Sequence, residues 1–139
     1  IELDDNDNLV LSHNRLSILD LSKTGHQPMI SASGNLSTVF NGEIYNHLNL
    51  REELFNQKKF NQWRGTSDTE TLIQAIDLWG IDKTLQKLNG MFAFSIWDKK
   101  EKTLFLVRDR YGIKPLYYAQ FGKVFLFASE QKAILKNPK

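Results

Sequence analysis

The hydrophobic periodicity switches from helical to alternating in the middle of this chain, and that switch restricts the fold more than any other feature. Between Asn46 and Leu88 the apolar residues recur at helical spacing; from Met91 to Ser129 they alternate with period two. The helical half contains three segments. The first runs from about Asn46 to Gln57, with Leu48, Leu50 or Arg51, Leu54 and Phe55 on one stripe. The second opens on Ser67-Asp68-Thr69-Glu70, a capping-box pattern, continues through Leu72, Ile73, Ile76 and Trp79, and stops at Gly80. The third is short, Asp82 to Leu88, and ends at Asn89-Gly90. The alternating half predicts a strand over Met91–Trp97, a charged turn Asp98–Lys102 and a returning strand Thr103–Arg108. A second hairpin follows, Pro115–Gln120 and Val124–Ser129 about Phe121-Gly122-Lys123, and a closing helix spans Glu130–Lys136. Hairpin-joined strands without β-α-β alternation predict an α+β fold with antiparallel sheets. Met91–Trp97 is apolar on both faces, so its sheet is expected to be covered on both sides.

The first third of the chain is less regular. Leu9–Leu11 and Leu16–Leu19 read as short strands, Ser22 to Pro28 as a loop, and Leu36–Phe40 as a strand leading into Asn41-Gly42-Glu43-Ile44-Tyr45-Asn46. An Asn-Gly pair after a strand is an ordinary turn signal, because both residues tolerate positive φ. The acid, the aromatic and the second Asn behind it exceed what a turn needs. A loop at a strand end is also where a fold can aim a side-chain amide and a bare N–H at a reacting carbonyl.

Composition removes several classes of function. The 139 residues suffice for one domain with a sizeable core. Lys and Arg total 18 against 16 Asp and Glu, a formal charge of +2 that no segment concentrates, so there is no electrostatic footprint for nucleic acid. No apolar run has the length of a membrane span, and Ile1-Glu2-Leu3-Asp4-Asp5 does not resemble a signal peptide; the expected location is cytoplasmic. The chain has no cysteine, hence no disulfide framework, thiolate metal site or cysteine nucleophile of its own. His13, His26 and His47 share no metal-ligand spacing, so no metal site is expected. Arg108-Asp109-Arg110-Tyr111-Gly112-Ile113-Lys114-Pro115 lacks a phosphate-loop pattern, and its alternating signs suggest ion pairing within the run.

Five residues remain as candidates: Arg15, Asn41, Gly42, Glu43 and Asp68. Each has an ordinary reading. Arg15 at a strand edge is a solvated charge, Asp68 favours the positive end of a helix dipole, and Glu43 is a surface acid. Taken together they can hold an α-amino acid. The Arg guanidinium would take its carboxylate, the two acids its ammonium, and the Asn/Gly pair its reacting carbonyl.

The motifs, in order, are Arg15-Leu16-Ser17-Ile18-Leu19-Asp20-Leu21, Gly25-His26-Gln27-Pro28-Met29, Asn41–Asn46, Ser67–Glu70, Asn89–Phe94, Arg108–Tyr118 and Ala128-Ser129-Glu130. In that order the chain resembles, over essentially its whole length, the class II glutamine amidotransferase domain of glutamine-hydrolysing asparagine synthetases. The resemblance implies an N-terminal-nucleophile fold, two antiparallel sheets sandwiched between helical layers, and hydrolysis of glutamine to glutamate and ammonia. It also implies roles: Arg15 for the glutamine α-carboxylate, Glu43 and Asp68 for the α-ammonium, the Asn41 amide and Gly42 N–H as the oxyanion hole. No cofactor is implied for this domain; ATP and magnesium would belong to a separate synthetase domain.

The departures from the family matter equally. Its members begin with a catalytic cysteine whose own α-amine is the base, whereas this chain begins with Ile1. The Arg-Gly-Pro-Asp segment expected before Arg15 and the synthetase domain expected after Lys139 do not appear. The expectation is therefore a glutaminase-domain fragment, residues 1–139, incomplete at its N-terminus and inactive by itself. Its partners would be glutamine, the missing N-terminal segment and the synthetase domain. A chain cut in this way is also expected to be marginal in stability, or to associate with itself or its missing piece. Two alternatives stay open: a non-catalytic glutamine-binding or assembly module, and an amidotransferase of surface-polysaccharide biosynthesis.

Overall fold

The computed structural model describes residues 1–4, 8–14 and 23–136. The scaffold is a four-stranded antiparallel sheet whose two long strands, β4 (Leu36–Ile44) and β5 (Gly90–Asp98), pair along their full length from Leu36↔Asp98 to Ile44↔Gly90. Short β3 (Met29–Ile30) flanks β4, and β6 (Thr103–Arg108) flanks β5. Two separate antiparallel hairpins account for the other strands among the described residues: β1 (Glu2–Asp4) with β2 (Leu9–Leu11), and β7 (Tyr117–Phe121) with β8 (Val124–Ala128). Helices α1 (His47–Asn56), α2 (Asp68–Trp79) and α3 (Ile81–Lys87) lie between β4 and β5 in sequence, and α4 (Gln131–Leu135) follows β8. The α+β class, the antiparallel sheets and the helices at 46–57, 67–80 and 82–88 match the sequence reading to within a residue or two.

Period-two alternation gives the large sheet two different faces. Phe40 and Ile44 of β4, with Phe92, Phe94 and Ile96 of β5, point to one side. There they pack on Leu50 of α1 and Leu72, Ile73 and Ile76 of α2. Each of these side chains contributes about 1.5–3 kcal/mol of apolar burial, which makes this layer the main source of cohesion. The opposite face carries Val39, Asn41 and Glu43 beside Met91, Ala93 and Ser95, and it forms the floor of a cleft. Buried residues run without a break from Phe92 to Trp97, so β5 is covered on both faces.

Helix α2 starts where its sequence says. The Ser67 hydroxyl accepts the Glu70 N–H at 3.2 Å, and Gly80, at φ +83°, ends the helix. The reciprocal half of the capping box is absent. The Glu70 carboxylate instead accepts the N–H groups of Arg64 and Gly65, folding the preceding loop against the helix.

Three expectations need correction. The stripe on α1 is narrower than its spacing implies: Leu50 and Leu54 are buried, but Leu48 and Phe55 are 65% and 60% exposed. The reason is geometric, since α1 meets α2 through Leu50, Leu54 and Arg51, which leaves the flanking positions in solvent. Second, Asn41-Gly42 does not turn the chain; β4 runs on through Glu43 to Ile44, each residue paired with β5. Third, the run 108–115 is not held by internal ion pairs. The Arg108 guanidinium donates to the carbonyls of Lys114 (2.7 Å) and Gly112 (2.6 Å), while the Asp109 carboxylate accepts backbone N–H groups. The segment expected as the strand Leu16–Leu19, together with Arg15, lies outside the described residues.

Candidate functional site

The cleft over the second face of the sheet encloses about 770 Å³. Its floor is β4 and β5, one wall is the start of α2 with Gly25 and Gln27, and the other is the end of β8 with Ser129 and α4. Four of the five candidates, Asn41, Gly42, Glu43 and Asp68, line it. The fifth, Arg15, is not described.

Because the motif is strand rather than turn, its chemistry follows from strand geometry. Asn41 and Glu43 share the cleft-facing side of β4, two residues apart, and both are half-buried. The Asn41 Nδ2 donates to the Ser129 hydroxyl at 3.4 Å, a long bond that leaves the amide available. The N–H groups of Phe40, Gly42 and Ile44 all point to the edge of β4 away from β5. The register requires this: opposite Gly42, Phe92 turns both its N–H and C=O toward Asp109, away from β4. On that edge two side chains satisfy the flanking donors. Gln27 Oε1 accepts from Phe40 N at 2.6 Å, and Asp68 Oδ2 accepts from Ile44 N at 2.9 Å. Gly42 N–H lies between them with no side-chain acceptor among the described residues.

Only glycine fits at that position. A Cβ on Gly42 would collide with the Met91 carbonyl oxygen and stand 2.6 Å from Phe92 Cα, and its φ of +156° adds strain for any other residue. Gly90 is constrained in the same way by the Glu43 carbonyl. The two strands therefore approach closely where the donor is presented.

Asp68 does not face outward from its helix. It is 5% exposed, turned toward β4, and also accepts its neighbour Thr69 N–H through Oδ1 at 2.8 Å. Burial pushes its pKa up; the bonds from Ile44 and Thr69 and the nearby His47 only partly offset this. A carboxylate offers about four lone-pair sites, so acceptor capacity remains for a ligand. Burial likewise lowers the pKa of His47, against the pull of Asp68; Arg51 lowers it further and Glu43 opposes. His13 lines the cleft, His26 is exposed, and no group of three metal-ligating side chains occurs among the described residues.

The structure adds residues that sequence reasoning did not single out. Gln27 was visible only as one letter of a motif, and Ser129 only as the neighbour of a helix start. Asp109 was hidden inside a run that looked like alternating charge. The arrangement as a whole presents an amide, a strand-edge N–H and two acids to one cleft, groups chemically able to bind an ammonium and polarise a carbonyl.

The family model described as a glutamine amidotransferase domain matches residues 3–139. The glutamine-hydrolysing asparagine synthetase 3 of Bacillus subtilis is 43% identical over 94% of this chain, which corresponds to 21% of that relative. The amidase chry2 of Gibberella zeae is 40% identical over 94% of this chain and 19% of its own length. Among solved structures, the glutamine phosphoribosylpyrophosphate amidotransferase of B. subtilis superposes with a TM-score of 0.71 at 28% identity, covering 88% of this chain and 28% of that one. The chain thus spans about a fifth of the length of the curated relatives it matches.

Proposed function

The chain belongs to the glutamine amidotransferase domain family, and from that premise we propose that its cleft binds glutamine for hydrolysis to glutamate and ammonia. The observation that carries this reading is the edge of β4. Between two N–H groups already satisfied by Gln27 and Asp68, Gly42 presents a donor with no acceptor among the described residues, beside the Asn41 amide. In this reading the scissile carboxamide oxygen rests between Asn41 Nδ2 and Gly42 N–H, which stabilise the oxyanion as the carbonyl is attacked. Glu43 and the free lone pairs of Asp68 take the α-ammonium, and Arg15 takes the α-carboxylate with a bidentate fork.

The attacking group is a thiol that this chain does not contain. The polypeptide by itself therefore binds glutamine without turning it over. The ammonia would serve an asparagine synthetase-like partner domain, where ATP and magnesium activate aspartate. That acceptor is favoured by the asparagine synthetase relatives at 41–43% identity; the amidase relative keeps a different acceptor as the alternative. Titration calorimetry with L-glutamine, paired with an ammonia-release assay, tests the proposal. The expected result is saturable binding with no ammonia released. Turnover by the pure chain, or no binding at tens of millimolar glutamine (about the weak end of metabolite affinity), would contradict it.

A further inference from the structure

The acids of the cleft come from different elements, and something must hold those elements in register. Asp68 is the first residue of α2, whereas Glu43 belongs to β4, which passes directly into α1 through Asn46. Arg51, on α1, spans the gap. Its Nε donates to Thr71 Oγ1 at 2.7 Å, its Nη1 to the Gly65 carbonyl at 2.8 Å and its Nη2 to the Ser67 carbonyl at 2.8 Å. The guanidinium also lies 4.1 Å from the Trp63 ring centroid and 3.6 Å from the Glu70 carboxylate. Ser67 is the residue immediately before Asp68, and Thr71 lies one turn above Ser67. A guanidinium is the one side chain that can serve three acceptors in one plane while stacking on an aromatic face; an ammonium is a point donor.

We propose that Arg51 is a positioning residue for the ammonium subsite: by clamping the first turn of α2 to α1, it sets where Asp68 stands relative to Glu43. This rests on the glutamine reading above. Arg51 itself does not line the cleft. Its contribution to binding therefore passes through the position of a carboxylate, and hydrogen bonds to an ammonium lose strength steeply with misalignment.

The test compares two ligands on the same 139-residue chain. L-Glutamine carries the α-ammonium; glutaramic acid has the same carboxylate and carboxamide but no amino group. Titration calorimetry of Arg51→Met should show glutamine affinity down about tenfold, with glutaramic acid affinity changed by less than about twofold. Thr71→Val, which removes the Nε acceptor together with the long 3.4 Å bond from Thr71 Oγ1 to the Ser67 carbonyl, should show the same selectivity at about threefold, and it decides the matter if Arg51→Met does not fold. Arg51→Lys should fall between wild type and Arg51→Met. Equal losses for both ligands in the Arg51 and Thr71 variants would mean a purely structural role and overturn the proposal. Asp68→Asn separates the two claims. If it shows the selective loss while the Arg51 and Thr71 variants do not, only the positioning role fails. If Asp68→Asn is unselective, or the wild-type chain binds neither ligand, the ammonium subsite itself is wrong and the proposal falls with it.

Discussion

Two buried aspartates attach to the same sheet from opposite sides, and they serve it differently. Asp109, just beyond β6, accepts four backbone N–H groups: Phe92 at 3.2 Å, Tyr111 at 3.1 Å, and Ile113 and Lys114 at 3.0 Å. Burial disfavours its charge, yet the bonds from Lys114, Ile113, Phe92 and Tyr111 outweigh it, and its pKa falls to about 2. Asp68, at the β4 edge, accepts fewer, from Ile44, Thr69 and its own N–H, and burial dominates, so its pKa rises. The number of donors separates the two roles. Asp109 has used its whole acceptor capacity to bind the 109–115 loop to β5, and it has nothing left for a ligand. Asp68 keeps acceptor capacity and lines the cleft, as its proposed ammonium-binding role requires.

The largest expected effect is on Asp109. Replacing it with Ala leaves four backbone donors without their acceptor, and thermal melting should show Tm lower by about 10 °C or more. A small change would mean that the loop does not depend on this carboxylate, and the comparison would collapse. The second effect is in acid, where the two residues have opposite signs. A carboxyl whose folded pKa is depressed stabilises the protein above its unfolded value and loses that contribution as pH falls through the folded pKa. For Asp109 the window runs from 3.8 down to about 2. A carboxyl whose folded pKa is raised does the reverse: its favourable contribution is complete below the unfolded value of 3.8 and disappears as pH rises through the folded pKa. Melting curves recorded across acid pH should therefore flatten below pH 3.8 in Asp109→Asn and fall more steeply with acid above that pH in Asp68→Asn.

The next effect is smaller in stability and larger in binding. Asp68→Asn loses one acceptor but relieves a buried charge, so its stability at neutral pH should stay within about 1 kcal/mol of wild type. Its glutamine affinity should fall by about tenfold or more in the same titrations. The smallest structural effect is expected at Asn41, whose amide is half-buried and makes only the long bond to Ser129. Asn41→Ala should melt within about 0.5 kcal/mol of wild type. In an assembly that supplies the thiol nucleophile, it should lower the rate of glutamine hydrolysis by about 100- to 1,000-fold. A strongly destabilised Asn41→Ala would recast Asn41 as a scaffold residue.

Local signals carried most of the fold. The Ser67 cap, the stop at Gly80 and the alternation through Thr103–Arg108 each depend on a few neighbouring residues, and each lies where the pattern puts it. What was misread depends on partners distant in sequence. Asn41-Gly42 has the local signature of a turn, but full-length pairing with β5 keeps it extended. The alternation of Phe40 and Ile44 pointed the same way, though glycine at 42 interrupts it. The charges of 108–114 looked self-paired because sequence shows side chains and not the backbone groups they bind. Similarly, the spacing on α1 left Leu50 and Arg51 as alternatives, and the structure uses both, one in the core and one as the clamp to α2. Within the site, the adjacency of Asn41, Gly42 and Glu43 was legible, and the arrival of Asp68 required the tertiary fold.

The central claim is that the Gly42 N–H, which has no acceptor on the β4 edge among the described residues, faces the reacting carboxamide of glutamine. Backbone amide NMR of the uniformly ¹⁵N-labelled chain, titrated with L-glutamine, tests it directly. The predicted result is a saturable shift of the Gly42 amide, shared by Asn41 and Glu43 and weaker at Phe40, whose N–H is already bound to Gln27; D-glutamine should not reproduce it. If the Gly42 amide stays fixed while glutamine saturates the chain, the ligand sits elsewhere and the account is wrong.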